Sequence, residues 1–367
     1  MATASVASRN CGHSMSGVNE AAPSGGLSQA LPYLQCIHCR SVVALQLSGD
    51  LDRLHCSNCH TEYEIVDGIP ILLHGATNSS YDIPWHPVNP TVTHTKRLAS
   101  YAKDAVTSVP FLRTIVYKIL YGPNKLYLTD EVSRQLASQA TVADVGCRNI
   151  PYVSKLSRIQ IYFAIDIDLA SLRYIKARNH PNVVPILASI EDLPLRSDSC
   201  DRVICLEVLE HVQDDVSAFK ELARITKPAG SLLLTTPDGD TVAVHELPPP
   251  RLHLRHYRKT EIRSHLEQSW GSVAITSMAS WFPFWRLADR VEDRKRRARH
   301  WSTKLLTAVA FYPANFLSNI VHAVCERTAY RSKAHCRIVA KCTVRRVRAG
   351  VGSASSTGWT NRDAAGR

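Results

Sequence analysis

The chain has 367 residues, enough for one full α/β domain with attachments or for two to three domains. It is 45% hydrophobic and 21% charged, a composition that excludes a low-complexity or wholly disordered chain. The formal net charge of +12 is unevenly spread: residues 1–250 carry 21 Lys and Arg against 25 Asp and Glu, residues 251–348 carry 21 against 6, and the tail carries 2 against 1. The basic character is therefore local, which points to a positive surface on the C-terminal part rather than to a general solubility charge.

Residues 1–30 are rich in Ser, Ala and Gly and contain no apolar run of signal-peptide length, so a flexible tail on a cytoplasmic protein is expected. Residues 31–75 read as a small metal-built module. In LQCIHCR…RLHCSNCHTEYEIVDGIPILL, Cys36/Cys39 and Cys56/Cys59 form two CxxC pairs, and the sixteen residues between them hold two apolar segments around Ser48-Gly49-Asp50, as a hairpin would. Each CxxC turn aims two thiolates at one point, and the hairpin returns the chain so that four sulfurs can surround one Zn2+. Four thiolates leave no open position for substrate, so the metal would be structural. A pair of disulfides is the weaker alternative, since nothing else points to an oxidising compartment. Residues 33–74, above all the two knuckles and Asp67-Gly68-Ile69-Pro70, resemble the Trm112-like zinc-ribbon family. That resemblance implies a module that supports a methyltransferase, as a partner or as a fused domain.

Residues 76–139 are expected to form a helical linker or N-terminal cap. From residue 140 to 277 apolar strands alternate with amphipathic helices, the pattern of a doubly wound Rossmann-like sheet. TVADVG, IYFAIDID, VVPILASI, CDRVICLEVL and GSLLLTTP read as its first five strands, and DDVSAFKELARITKPAG as a helix burying Val216, Phe219, Leu222, Ala223 and Ile225. Ligands bind at the carboxyl ends of such strands, so Asp144, Gly146, Cys147, Asp166, Ser189 to Asp192 and Glu207 are the residues to weigh. Taken alone, this pattern does not separate a nicotinamide cofactor from S-adenosylmethionine.

The run from Ser189 to Asp238 narrows the choice. Glu191-Asp192-Leu193-Pro194, an aspartate-led strand at Asp201, EVLEHV at Glu207–Val212 and the block from Glu221 through Pro237 resemble class I S-adenosylmethionine-dependent methyltransferases of the type 11 group. The resemblance spans about residues 140–275 and implies a seven-stranded sheet. It implies that Asp144 orients the glycine loop and helps hold the cofactor's ammonium, that Gly146 lets the backbone approach, that Cys147 belongs to the same cofactor-binding loop, that Asp166 takes the ribose hydroxyls, and that Ser189, Ile190 and Glu191 border the adenine. The loop TVADVGCRNIPYV departs from the subgroup form DVGCGxxPY at one residue, Arg148, where a glycine is usual. The loop is still expected to bind cofactor, with the Arg148 guanidinium near the methionine carboxylate. His211, with Glu207, is the candidate base for a hydroxyl or amine acceptor, and His256 is a second candidate. Glu207, Glu210 and His211 also match an ExxEH arrangement that holds a divalent cation in some quinone O-methyltransferases.

Residues 278–334 stand where a short hairpin would join strand six (272–276) to strand seven, within 335–348, and residues 349–367 read as a second tail. This insertion emerges at the ligand edge and is expected to form a lid: an aromatic cluster at Trp281–Trp285, a basic run through Arg294–Arg299 and an uncharged segment Leu305–Cys325. Aromatic and basic groups together suit an amphiphilic acceptor or peripheral contact with an anionic membrane through residues 281–325. Two other readings compete: an RNA methyltransferase using the ribbon and the basic surface, and a non-catalytic scaffold.

Overall fold

The computed structural model describes residues 25–41, 45–74, 131–136, 139–148, 158–241, 253–279 and 336–345. The expected lid, with Trp281–Trp285, Arg294–Arg299 and Leu305–Cys325, lies outside the described residues, as do Pro151, Tyr152, residues 1–24 of the expected N-terminal tail, the expected C-terminal tail and most of the expected linker.

The expected tail, residues 1–30, does not hold for its last six residues. Gly25–Ala30 form a helix, α1, and Leu27 and Ala30 are buried. The ribbon follows as an antiparallel meander of β1 (Leu45–Leu47), β2 (Arg53–Cys56), β3 (Glu62–Val66) and β4 (Ile69–Pro70). Ser48 closes the first hairpin, its Oγ accepting from Arg53 N at 3.0 Å. Asp67 and Gly68, with φ of +52° and +72°, make the last turn; two successive left-handed residues match the twist of the strands they join.

The larger sheet has seven strands: β5 (Thr141–Val145), β6 (Ile161–Asp166), β7 (Val183–Leu187), β8 (Cys200–Leu206), β9 (Thr226–Pro237), β10 (Trp270–Ala279) and β11 (Cys336–Arg345). Their order is β10-β11-β9-β8-β5-β6-β7. Strands β5 to β9 are parallel, and β11 is inserted antiparallel between β9 and β10, so β10 runs with the first five. The order reverses between β5 and β8, and this switch point puts their carboxyl ends beside an open crevice.

Residues of β5, β6 and β7 are almost all buried because helices and ribbon cover both faces. Along β6, Phe163 and Ile165 join one apolar cluster, Tyr162 and Ala164 the other. Helix α2 (Leu169–Lys176) is capped by Asp168, whose side chain accepts from Ala170 N at 3.0 Å. Helix α3 (Asp215–Ile225) is capped by Asp214, and α4 (Lys259–Glu267) precedes β10.

One helical position departs from expectation: Val216 is 46% exposed. The face of α3 that packs inward instead includes Ala218 and Glu221. Glu221 is tolerated there because Arg224 pairs with it at 2.6 Å and Leu193 N donates to it at 2.8 Å.

The ribbon is packed on the sheet's β7 edge. Leu72 N donates to Leu187 O at 2.8 Å, and Ile71 and Leu187 form a parallel bridge. Leu34, Leu45, Leu54 and Leu72 are buried in the same apolar cluster as Phe163 and Ile186. Edge strands left open invite unwanted pairing, and here the ribbon covers one.

Candidate functional site

At the end of β5 the chain turns at Gly146, φ +74°, whose N–H donates to Ile165 O at 2.8 Å. Cys147 N donates to the same carbonyl, and Arg148 N donates to Asp166 Oδ2 at 2.8 Å. The loop is thus tied to the end of β6 by three successive amides. Arg148 has φ +39°, the left-handed region that its position in the loop demands.

Gly146, Arg148, Asp166, Ser189, Ile190, Glu191, Glu207 and His211 line one cavity of about 330 Å³. Asp144 and Cys147, expected with them, are buried and do not line it. Asp144 sits beneath the loop, accepting from the Tyr162 hydroxyl. Burial pushes its carboxyl up to about 7, the Tyr162 hydroxyl pulls against this, and the charge of Asp166 adds to it. In this geometry Asp144 is a buried support of the loop and does not line the cavity wall.

The consequence for stability has a definite sign. The native state binds this proton more tightly than the unfolded chain, whose Asp has the ordinary value of 3.8, so the stability Asp144 contributes at low pH is lost as pH rises through about 7. Asp144→Asn, which keeps the size and can keep the Tyr162 bond, is expected to remove roughly 2 kcal/mol of that loss. Urea unfolding at pH 5 and pH 8 checks it; an unchanged difference between the two would assign the dependence to other groups.

Asp166 presents its carboxylate at the cavity wall. Its two oxygens accept from Arg148 N and from Asp168 N at 2.8 and 3.0 Å. A carboxylate has about four acceptor positions, so two remain for a pair of ligand hydroxyls. Burial pushes its pKa up, and the two amides oppose that shift. Ser189 Oγ accepts from Glu191 N at 3.2 Å and starts the short turn Ile190–Asp192. Glu191 in turn accepts from Asp214 N at 2.8 Å, at the start of α3. Asp192 on this turn is held from the ribbon: Arg40 pairs with it, and His74 Nε2 lies 2.7 Å from its other oxygen.

The other side of the cavity is built by the end of β8. Glu207 has φ +58°, accepts from Thr235 Oγ1 at 2.8 Å and lies 2.8 Å from Arg337 Nε. The Arg337 N–H is not aimed along that line, so the contact is an ion pair and not an aligned hydrogen bond. Glu210 is 1% exposed and accepts from Thr236 Oγ1 at 3.1 Å. Burial first, then the charge of Glu207, push its carboxyl well above the usual range.

His211 and His253 meet edge to face with ring centroids 4.7 Å apart, and His253 Nδ1 lies 2.7 Å from His256 Nε2. Burial pushes His253 down to about 4, helped by the neighbouring His211 and His256 and opposed by Glu207. Donor atoms of Glu210, His211 and His253 lie within 4.8 Å of one another, a grouping that differs from the Glu207, Glu210, His211 set read from the sequence. His253 was missed in the sequence. The spacing of His253 and His256 was visible, but only Leu254 N donating to Glu210 O at 2.7 Å brings His253 beside His211.

In the ribbon, Cys36 Sγ is 3.5 Å from Cys59 Sγ and Cys39 Sγ 3.7 Å from Cys56 Sγ, with all four within 4.8 Å. Arg40 and His60, each just after a knuckle, take φ of +53° and +59°, and their N–H groups return to Cys36 O and Cys56 O. The two knuckles therefore have matching backbones. Tetrahedral Zn–S bonds of about 2.3 Å separate sulfurs by roughly 3.8 Å, so this cluster could hold such an ion.

Residues 143–234 match the model of the methyltransferase domain Methyltransf_11. A "probable S-adenosylmethionine-dependent methyltransferase" of Mycobacterium tuberculosis is 29% identical over 189 residues, covering 50% of this chain and 66% of that protein. A ubiquinone biosynthesis O-methyltransferase of Xanthomonas oryzae is 33% identical over 125 residues, 32% of this chain and 52% of that protein. The chain thus spans about two thirds of the first of these relatives and about half of the second. Among solved structures, a phosphoethanolamine N-methyltransferase of Haemonchus contortus has a TM-score of 0.41 at 12% identity, covering 65% of this chain and 58% of that one. With the strand order, the glycine turn after β5 and the carboxylate ending β6 already in place, the match identifies a class I S-adenosylmethionine-dependent methyltransferase domain in this chain.

Proposed function

We propose that the whole chain is an O-methyltransferase acting on a hydroxyl of a small-molecule, glycan or lipid-like acceptor, with His211 as the base. The observation that supports this is that the His211 imidazole and the Glu207 carboxyl, at the end of β8, line the same cavity as the β5 loop, with Glu210 and His253 behind His211. S-adenosylmethionine supplies an electrophilic methyl on a sulfonium whose thioether leaves without protonation. What the chain must add is alignment, exclusion of water and removal of one proton from the acceptor. Asp166 binds hydroxyls and Gly146 admits the ligand close to the backbone. His211 takes the acceptor proton as the oxygen bonds to the methyl, and Glu207 and His253 set its orientation and surroundings.

The ribbon is read as a Trm112-like module fused to its enzyme, with Cys36, Cys39, Cys56 and Cys59 holding a structural zinc. Its sulfur spacing and its seat on β7 support that reading. On that reading the enzyme sits in the cytoplasm, where the four cysteines stay reduced and free to hold the metal. Among the described residues no helix is long and apolar enough to cross a membrane; peripheral contact through residues 281–325 remains part of the proposal.

Incubation of the full chain with methyl-labelled cofactor and separate lipid, small-molecule and RNA fractions tests it. Label is expected in a hydroxylated lipid or small molecule, and label confined to RNA would overturn the acceptor class. His211→Ala should lower kcat by about 10²- to 10⁴-fold while S-adenosylhomocysteine affinity changes little. A kcat within threefold of the native value would remove His211 from the chemistry.

A further inference from the structure

We propose that Arg148 binds the α-carboxylate of the cofactor's amino-acid end, so that the loop selects ligands that carry this group. The inference rests on the methyltransferase reading above. The cavity is strongly acidic, with Asp166, Asp168, Glu191 and Glu207 all in its wall. Arg148 is the sole Lys or Arg among the described residues lining it. Glu207 is met by Arg337, whereas Asp166, Asp168 and Glu191 form no ion pair among the described residues; a ligand that brings a carboxylate to that side of the wall needs a counter-charge, and Arg148 is the cation in place to provide one.

The backbone strengthens the argument. Arg148 holds φ +39°, a conformation that glycine takes freely and arginine does not. Its N–H is already committed to Asp166 Oδ2 at 2.8 Å, a bond that a glycine would make equally well. Loop geometry alone therefore gives no reason for arginine. Strain kept at a site of this kind points to work done by the side chain. Among the described residues the guanidinium forms no ion pair, although Asp166 and Asp168 lie near the same turn. A guanidinium fork matches a carboxylate in two parallel hydrogen bonds, which an ammonium cannot reproduce.

Two probes separate side chain from backbone. S-adenosylhomocysteine carries the amino-acid end, whereas 5′-methylthioadenosine shares the adenosine and thioether but lacks it. Calorimetry on the full chain is expected to show Arg148→Gly weakening S-adenosylhomocysteine about ten- to hundredfold. Affinity for 5′-methylthioadenosine should stay unchanged or tighten, because the loop strain is relieved, and this binding also reports that the variant is folded. Arg148→Lys should fall between native and Gly for the first ligand alone. Parallel losses for both ligands, or tighter S-adenosylhomocysteine binding in the Gly variant, would overturn the role of Arg148 and leave the methyltransferase reading standing. Failure of both ligands to bind any of the three chains would overturn that reading, and the proposal with it.

Discussion

Gly146→Ala is expected to abolish measurable binding of S-adenosylhomocysteine and to destabilise the domain by about 2–4 kcal/mol. Two independent physical terms lead to that result. Gly146 has φ +74°, where any Cβ is strained. A Cβ built there would also stand 2.3 Å from Val208 Cγ2, far inside contact distance, with the other Val208 atoms at 3.4 Å. Val208 cannot simply swing away, since the turn it begins, Leu209–His211, is anchored by buried Leu209 and Glu210. Relief must come from moving the loop, which would draw the Arg148 amide off Asp166 and open the cavity wall. The double variant Gly146→Ala/Val208→Ala separates the terms: the clash is removed and the φ strain stays. Partial recovery of stability by about 1–2 kcal/mol, read from urea unfolding, is the expected outcome. Full native affinity in the single variant would mean that the loop does not approach the ligand as described.

Much of this site was legible because its elements are local. Apolar runs ending in Asp144-Val145-Gly146 and Asp166 declare parallel strands and their ligand ends, and β5 and β6 fall where those runs predict. The CxxC pairs likewise declare facing knuckles, and their left-handed closing residues follow from the turn. What the sequence hid is set by contacts between distant segments. No local pattern says that Asp144 faces Tyr162 and not the cavity, because both readings have the same strand period. His253 resembles any loop histidine until the bond from Leu254 N to Glu210 O brings it to His211. Val216 fits the apolar face of α3 by type, but the sheet and the ribbon claim a face that includes Glu221, whose charge is matched by Arg224 and Arg40. The ribbon's seat on β7 also depends on pairs more than a hundred residues apart in the chain, Leu72 with Leu187 and Arg173 with Asp67.

That seat makes the four cysteines the positions of largest expected effect. The full chain should purify with one zinc per molecule, and Cys56→Ser should lose it. Cys56 is fully buried and packs beside Leu45, Leu54 and Tyr63, so loss of the metal proposed there would take the ribbon's apolar contacts with it. Structural zinc contributes on the order of 10 kcal/mol to the folding of small modules that lack a sufficient core. Part of that is recovered here, because Leu34 and Leu72 remain next to the sheet. In thermal and urea melts the Cys56→Ser chain is therefore expected to be less stable than the native chain by about 3 kcal/mol. The cofactor cavity should also feel the change. Asp192 on the turn after Ser189 is gripped by Arg40, from the first knuckle, and by His74. Arg40 also donates to Leu193 O at 3.1 Å. With the knuckle unfolded, the Ser189–Asp192 turn loses Arg40 and keeps its links to His74 and α3, and S-adenosylhomocysteine affinity should fall about tenfold. Arg40→Ala isolates this path, since it should retain zinc and fold while weakening the ligand about threefold, the size of one partly exposed ion pair. If Cys56→Ser melts and binds as the native chain does, the ribbon neither depends on metal nor supports the site; if only Arg40→Ala is silent, the support runs through the Leu72–Leu187 strand pairing instead.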